Sequence, residues 1–430
     1  MNAKVVAINK IPLIGFNTTK INDAIDAAKE EFIKTINDKS KWGALFLFSV
    51  SFFLIWVIIY YIHSKLSLES YNNKRIKAFY KLLGGTKIAV ISGCNDNGKN
   101  CESGIHTKLI GGEHPKLRDF YIMSSYNSCC GGNSKKDWVS LKPLEEVIQQ
   151  GVRFLDFEIY SKSGTPIVAA GGPANSNGRH CLKGTYNQLN FEDVMEKINV
   201  TAYNLPANKE DPLFLNFRIK TNNKTIYNKM HKTIIKVFGT ESSKDRLVTD
   251  NLRFDGAKVD DYSISNIPLF ILKGKVIISI NDVNHNYIGS KFEELISMSD
   301  KSTEGIGMPY VHSYKNLEVK DAYDPESLIE DNKKYLGISY PDFTNTTSNS
   351  SAALHHTFGI QFVTMNFQIF DEHLKHYINI FNENGSAFKL KPSNLRYKPV
   401  KIPIPQDAPK ELSFKPKETN ILGGAGKISL

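Results

Sequence analysis

Cysteine is scarce in this chain of 430 residues: Cys94, Cys101, Cys129, Cys130 and Cys181 are the whole supply. Five are too few for a disulfide scaffold, and an odd number leaves one thiol over. Cys94 and Cys101 bracket a polar Asn/Gly loop and are near enough in sequence to bridge, although nothing marks the compartment as oxidising. Acidic charge is short as well, with 44 Asp and Glu against 54 Lys and Arg and a formal net charge of +10. That excess suits an anionic partner such as a phospholipid surface, a nucleic acid or an acidic protein, and a solvated lysine surface gives the same count. A complete phosphate loop is lacking too. GGAGKIS at Gly423 fails the Gly-x-x-x-x-Gly-Lys spacing and follows no βα pattern. What is present is a normal apolar content, 41% hydrophobic and 23% charged, which fills one large domain with appendages and excludes disorder as the default. Asn, Lys and Ile are heavily used, as an AT-rich genome would encode. The sequons at Asn17, Asn199, Asn223, Asn345, Asn349 and Asn384 are what chance yields in such a composition.

Charge is absent from Trp42 to Ile62. WGALFLFSVSFFLIWVIIYYI covers about 21 residues, enough to cross a hydrocarbon core of about 30 Å. A single transmembrane helix over 42–63 is therefore expected. Trp42, Tyr60 and Tyr61 suit the interfacial belts, and His63 with Lys65 ends the run. The run is too long, and starts too far from the terminus, for a cleaved signal peptide. Lys29, Lys34, Lys39 and Lys41 precede it while Lys65, Lys74, Arg75 and Lys77 follow, so the positive-inside count leaves the side of the main domain open. Upstream, Ile21, Ile25, Ala28, Phe32 and Ile36 recur at helical spacing, which predicts an amphipathic helix leading into the span or lying on the membrane.

The chain thus divides into an N-terminal amphipathic segment (1–41), the span (42–63), a stalk (64–105), a main domain (106–397) and a basic, Pro-rich C-terminal arm (398–430). Within the main domain, strand-like runs (FYIMS from Phe120, RFLDFEIY from Arg153, LFLNFRI from Leu213, KVIISI from Lys275, IQFVTMNFQ from Ile360) alternate with helical stretches at Leu144–Gln150, Phe191–Ile198 and Thr225–Phe238. Such alternation predicts an α/β architecture with a mostly parallel sheet, and leaves barrel and open sheet undistinguished.

FYIMSSYNS from Phe120, followed by LEEVIQQGVRFLDFEIYSKSGTPIVAAGG from Leu144, resembles the X region of eukaryotic-type phosphoinositide-specific phospholipase C. LGISYPDFT from Leu336, GIQFVTMNFQ from Gly359 and NGSAFKLKPSNLR from Asn384 to Arg396 resemble that family's closing Y region, in the right order. The resemblance spans about 115–397 and implies a fold: a distorted TIM (β/α)8 barrel of the phospholipase C-like phosphodiesterase type, preceded by a single transmembrane helix.

Cleaving an inositol-phosphate ester takes a base, a proton donor and a divalent cation. In the family two histidines and a calcium ion held by Asn and acidic side chains supply these. Transferred by resemblance, the histidine positions read Tyr126 and Ala170 here. Of the calcium ligands Asn127 remains, the strand carboxylates are Asp156 and Glu158 with lengths exchanged, and the last glutamate position reads Arg218. The phosphate-binding positions read Ser279, Asn281 and Asn345. A guanidinium among former calcium ligands would repel the metal and satisfy both carboxylates, so the resemblance implies a vestigial metal site turned ion pair, with no calcium or other cofactor. His114, His180, His355 and His356 are expected in loops or at the surface, and Cys129 and Cys130 as buried structural thiols. The overall expectation is a membrane-anchored, catalytically inactive barrel whose partners are the lipid bilayer and a protein met through the barrel surface or the basic arm. Nucleic acid is not favoured. A structural link between a membrane and a protein shell, as in a membrane-containing virus particle, is one form the anchor, arm and AT-rich usage permit. The alternative is an active phosphodiesterase with rearranged catalytic groups.

Overall fold

The structure is a computed structural model that describes residues 18–37, 42–83, 114–171, 182–204, 207–239, 246–248, 264–300, 311–342, 347–398, 418–420 and 427–429. Cys94, Cys101, Cys181 and His180 lie outside these residues. Two helices come first, α1 (Thr18–Asn37) and α2 (Trp42–Leu83). Ile25 and Phe32 of the expected amphipathic stripe are exposed on α1, and the side chains of Ile21 and Ile36 lie outside the described residues.

The main domain follows as β1 (Phe120–Ser125), α3 (Leu141–Gln149), β2 (Phe154–Lys162), β3 (Thr165–Ala169), β4 (Leu189–Asn190), α4 (Phe191–Asn204), β5 (Leu213–Ile219), α5 (Thr225–Phe238), β6 (Val276–Asn281), β7 (Ile296–Ser299), β8 (Val311–Lys315), α6 (Asn316–Lys320), α7 (Pro325–Lys334), β9 (Leu336–Tyr340), α8 (Ala352–Thr357), β10 (Phe362–Met365), α9 (Glu372–Asn384) and β11 (Phe388–Leu390). Strands run in the order β7-β6-β5-β2-β1-β10-β9-β8, every neighbouring pair parallel. This is the sequential order of a (β/α)8 barrel. It is nearly closed: among the described residues β7 and β8 do not pair. The distortion is visible between β6 and β7, where a 3₁₀ turn (Lys291–Leu295) replaces a helix. Beyond the barrel, β12 (Glu418–Asn420) and β13 (Lys427–Ser429) pair antiparallel, so the expected arm contains a small hairpin.

The period-2 alternation of strands builds the interior in layers. On β2 and β5 the register sets Phe154 beside Phe214, Asp156 beside Asn216 and Glu158 beside Arg218, and β6 continues the rows with Ile277, Ser279 and Asn281. Apolar residues thus fill the N-terminal half. There Phe362 meets Phe154 and Phe214 at ring-centroid distances of 4.5 and 5.2 Å. Burial of each such ring contributes about 1.5–3 kcal/mol. Polar residues occupy the C-terminal half, the end where such barrels carry their sites. The intervening residues Leu155, Phe157, Leu213, Leu215 and Phe217 are buried outward against the helices.

By length and composition α2 is able to cross a membrane: its most apolar 18-residue window has a mean hydropathy of 2.4 and is entirely unburied. The expected stalk needs correction, because the helix continues without a break to Leu83 and its second half is docked on the barrel. Asn72, Ile76 and Tyr80, one turn apart, are buried. Tyr80 donates its hydroxyl to the Phe367 carbonyl at 2.5 Å, Asn72 Nδ2 donates to Asp137 Oδ1 at 2.8 Å, and Phe79 stacks on Phe370 at 3.9 Å. These partners follow the C-terminal ends of β1 and β10, so the helix lies against the site-bearing end.

The expected loop or surface placement of His355 and His356 also needs correction. Both sit in α8. His355 is buried with Nδ1 at 2.9 Å from Ser339 Oγ and Nε2 at 3.1 Å from Asn316 Oδ1, while His356 packs its ring 4.3 Å from Tyr121. Burial pushes His355 down to about 4 and His356 to about 3. Both values lie below the ordinary 6.5, so the unfolded chain takes up protons first as pH falls. The stability that neutral histidines contribute is therefore complete above about pH 6.5 and is lost as pH falls toward 4 and below. A melting-temperature profile should decline through that window, by on the order of 3 kcal/mol for one such histidine. His356→Phe should flatten it, and an unchanged slope in that variant would contradict the assignment.

Candidate functional site

Four of the residues anticipated at one site, Asn127, Asp156, Glu158 and Arg218, converge in the upper layer of the barrel. Asp156 and Glu158 are brought there by β2, Arg218 by β5, and Asn127 by the turn after β1, where it adopts a φ of 43°. Arg218 has five N–H groups and spends each on a separate acceptor. Nε donates to Asp156 Oδ1 at 2.9 Å, Nη2 to Asp156 Oδ2 at 2.7 Å and to Asn127 Oδ1 at 2.7 Å, and Nη1 to Glu158 Oε1 at 2.9 Å and to the Tyr126 hydroxyl at 3.2 Å. The Asp156 pairing is bidentate, the strong geometry for guanidinium and carboxylate.

The carboxylates are equally committed. Asp156 also accepts from Asn216 Nδ2 at 2.8 Å and from the Asn127 backbone N–H at 3.0 Å. Glu158 Oε2 accepts from the Tyr160 hydroxyl and the Gly171 N–H, both at 2.8 Å. A Cβ at Gly171 would fall 2.5 Å from the Tyr160 hydroxyl oxygen, so glycine permits this close approach. Burial alone would depress the guanidinium, but Asp156, Tyr126 and Glu158 together hold it charged, well above its ordinary value.

Calcium, which the fold family implies, does not fit this donor set. A calcium ion takes six to eight oxygen ligands. Here Asn127 Oδ1, both Asp156 oxygens and Glu158 Oε1 already point at a fixed cation, which stands among them. The crevices beside the cluster, one bounded by Ile76 and Tyr80 of α2, are too narrow for a water molecule.

Tyr126 lays its ring over the guanidinium, 4.4 Å from ring centroid to Cζ. Burial pushes its phenol well above the ordinary value, and that of Tyr340 likewise, so neither offers a base at neutral pH. Ala170 is fully buried, and its carbonyl accepts from the Gly184 and Thr185 N–H groups. Ser279 is buried on β6, and Asn281 at the strand end donates to Asp300. Asn345 lies outside the described residues. Cys129 and Cys130 are buried free thiols pushed up by burial, which leaves them unreactive. Sequence reasoning missed Asn216, which joins Asp156 to the Tyr340 hydroxyl at 2.9 Å. Its signal was available: Asn216 precedes Arg218 by two on β5 and so shares its face.

Breaking one side of a buried ion pair costs about 3–5 kcal/mol. Arg218→Glu should therefore melt well below the native protein without calcium and recover part of the loss when calcium is added, while the native melting temperature stays unmoved by calcium. A variant that melts like the native protein, with or without calcium, would contradict this geometry.

Comparison with known proteins agrees with the barrel. A family model described as phosphatidylinositol-specific phospholipase C, X domain, matches residues 114–280, from just before β1 into β6. Among solved structures the chain is similar to PLC21 of S. officinalis, at 21% identity and a TM-score of 0.50, over 70% of this chain and 40% of that one. PLC21 of L. pealei is similar at 20% identity and a TM-score of 0.48, over 66% and 38%. A calcium-dependent phosphoinositol-specific phospholipase C from Pseudomonas sp. gives 10% identity and a TM-score of 0.41, over 64% and 96%. The chain spans about 40% of the length of the PLC21 structures, and likeness at this identity speaks to the fold alone. No curated protein matches by sequence.

Proposed function

We propose that the barrel, whose residues 114–280 match the model of the phosphatidylinositol-specific phospholipase C X domain, is a catalytically inactive, membrane-anchored module for binding or structure. The observation that carries the reading is the full commitment of Arg218. With five N–H groups given to Asp156, Glu158, Asn127 and Tyr126, the guanidinium has no donor left for a phosphate, and the carboxylates have no free face for a cation. The positions of the acid and base hold a buried phenol and a methyl group. Each such loss typically forfeits about 10²–10⁴ in rate, and here the losses fall on separate parts of the mechanism.

The span of 42–63 anchors the module in this reading, supported by an apolar surface that is wholly exposed. The docked half of α2 then holds the barrel against the bilayer, with a protein partner on the remaining barrel surface or on the basic arm after 398. A link between membrane and protein shell in a virus particle is the form we favour, supported by the anchor, the basic arm and the Asn, Lys and Ile-rich usage.

Full-length protein in vesicles containing phosphatidylinositol and its phosphorylated forms should release no inositol phosphate above the protein-free rate, with or without calcium. Calcium-dependent turnover that vanishes in Asp156→Asn would overturn the proposal in favour of a rearranged phosphodiesterase.

A further inference from the structure

The joint between α2 and the barrel sets the height of the barrel above the bilayer. Ile62 is the last residue of the uncharged run, and Lys65 lies about 5 Å farther along the helix at 1.5 Å per residue. The Lys65 carbonyl accepts from Trp138 Nε1 at 2.9 Å. Its ammonium lies 5.5 Å from the Tyr61 ring and 5.9 Å from the Tyr186 ring, and Trp138 and Tyr186 are themselves 5.7 Å apart. Two barrel segments, 133–138 after β1 and 182–187 before β4, are thus held at the depth where a span leaves the hydrocarbon. Trp and Tyr are the residues that favour this depth.

We infer that this corner of the barrel rests on an anionic bilayer surface, an inference that depends on α2 crossing the membrane. Charge complementarity supports it. The two segments carry Lys135 and Lys136, both exposed, and Lys183, and Leu182 beside Lys183 is 90% exposed. Their one acidic residue, Asp137, is buried, taking bonds from Asn72 Nδ2, the Asn133 N–H and the Trp138 N–H. Lys183 Nζ donates to the carbonyls of Thr185, Tyr186 and Asn187, which stiffens the loop that carries Tyr186. The corner is therefore preformed and tied to α2. Each lysine near an anionic surface raises affinity about fivefold.

The full chain with W42F and W56F keeps Trp138 as its one tryptophan. In vesicles of phosphatidylcholine and phosphatidylserine, its emission should be quenched more by shallowly than by deeply brominated lipid. Energy transfer to dansyl-phosphatidylserine should exceed transfer to dansyl-phosphatidylcholine, and K135E/K136E should abolish the excess. A companion with W42F and W138F reports on Trp56, which should be quenched by deep bromines. Deep quenching of Trp56 with no lipid quenching of Trp138 overturns the inference and leaves the span standing. Loss of quenching at Trp56 removes the span and the inference together. Equal transfer to the two dansyl lipids overturns the anionic preference. Photo-cross-linking from benzoylphenylalanine at position 136, in an otherwise native chain, reads the same contact independently. Lipid adducts are expected, and adducts to protein alone overturn the inference.

Discussion

A guanidinium held at the centre of three acceptor side chains and a phenol is the constraint around which the upper barrel is organised. Taking a charged arginine and two carboxylates out of water is costly, and only near-complete hydrogen bonding makes it tolerable. Arg218 meets that condition from two strands and a turn at once, joining β5 to β2 through Asp156 and Glu158 and to the β1 turn through Asn127. The same bonds use all five N–H groups of Arg218 and tie both carboxylates to it. A guanidinium is a cation that cannot dissociate and does not lose its proton, so its charge is a fixed part of this layer.

Much of this was legible in the sequence because strands alternate. RFLDFEIY and LFLNFRI each announce one polar and one apolar face, and parallel pairing places Glu158 beside Arg218 once the strands are adjacent. Asn216 obeys the same rule, but a strand amide announces no chemistry of its own until Asp156 and Tyr340 stand beside it. Tyr340 is less accessible to such reasoning, since it reaches the cluster from β9, well over one hundred residues away in sequence. Short strands such as β7 and β8 offer too few residues for a period to emerge.

Two misreadings share a cause. Residues 64–83 are polar enough to look like a stalk, yet Asn72, Ile76 and Tyr80 recur every fourth residue and form a stripe that only a specific groove on the barrel can bury. His355 looks like a surface residue until Ser339 and Asn316 are brought beside it by β9 and α6, and His356 until β1 brings the Tyr121 ring beside it. In both cases the deciding partner is distant in sequence, and burial of a polar side chain depends on that partner. The docked helix also joins the candidate span and the barrel in one continuous element.

The central claim is that Arg218 stands where a metal would, and it is tested most directly by diffraction at a lanthanide absorption edge. Crystals of the native protein soaked with terbium should show no anomalous peak among Asn127, Asp156 and Glu158, with Arg218 density continuous to both carboxylates. A peak there, with the guanidinium swung away, would contradict the account.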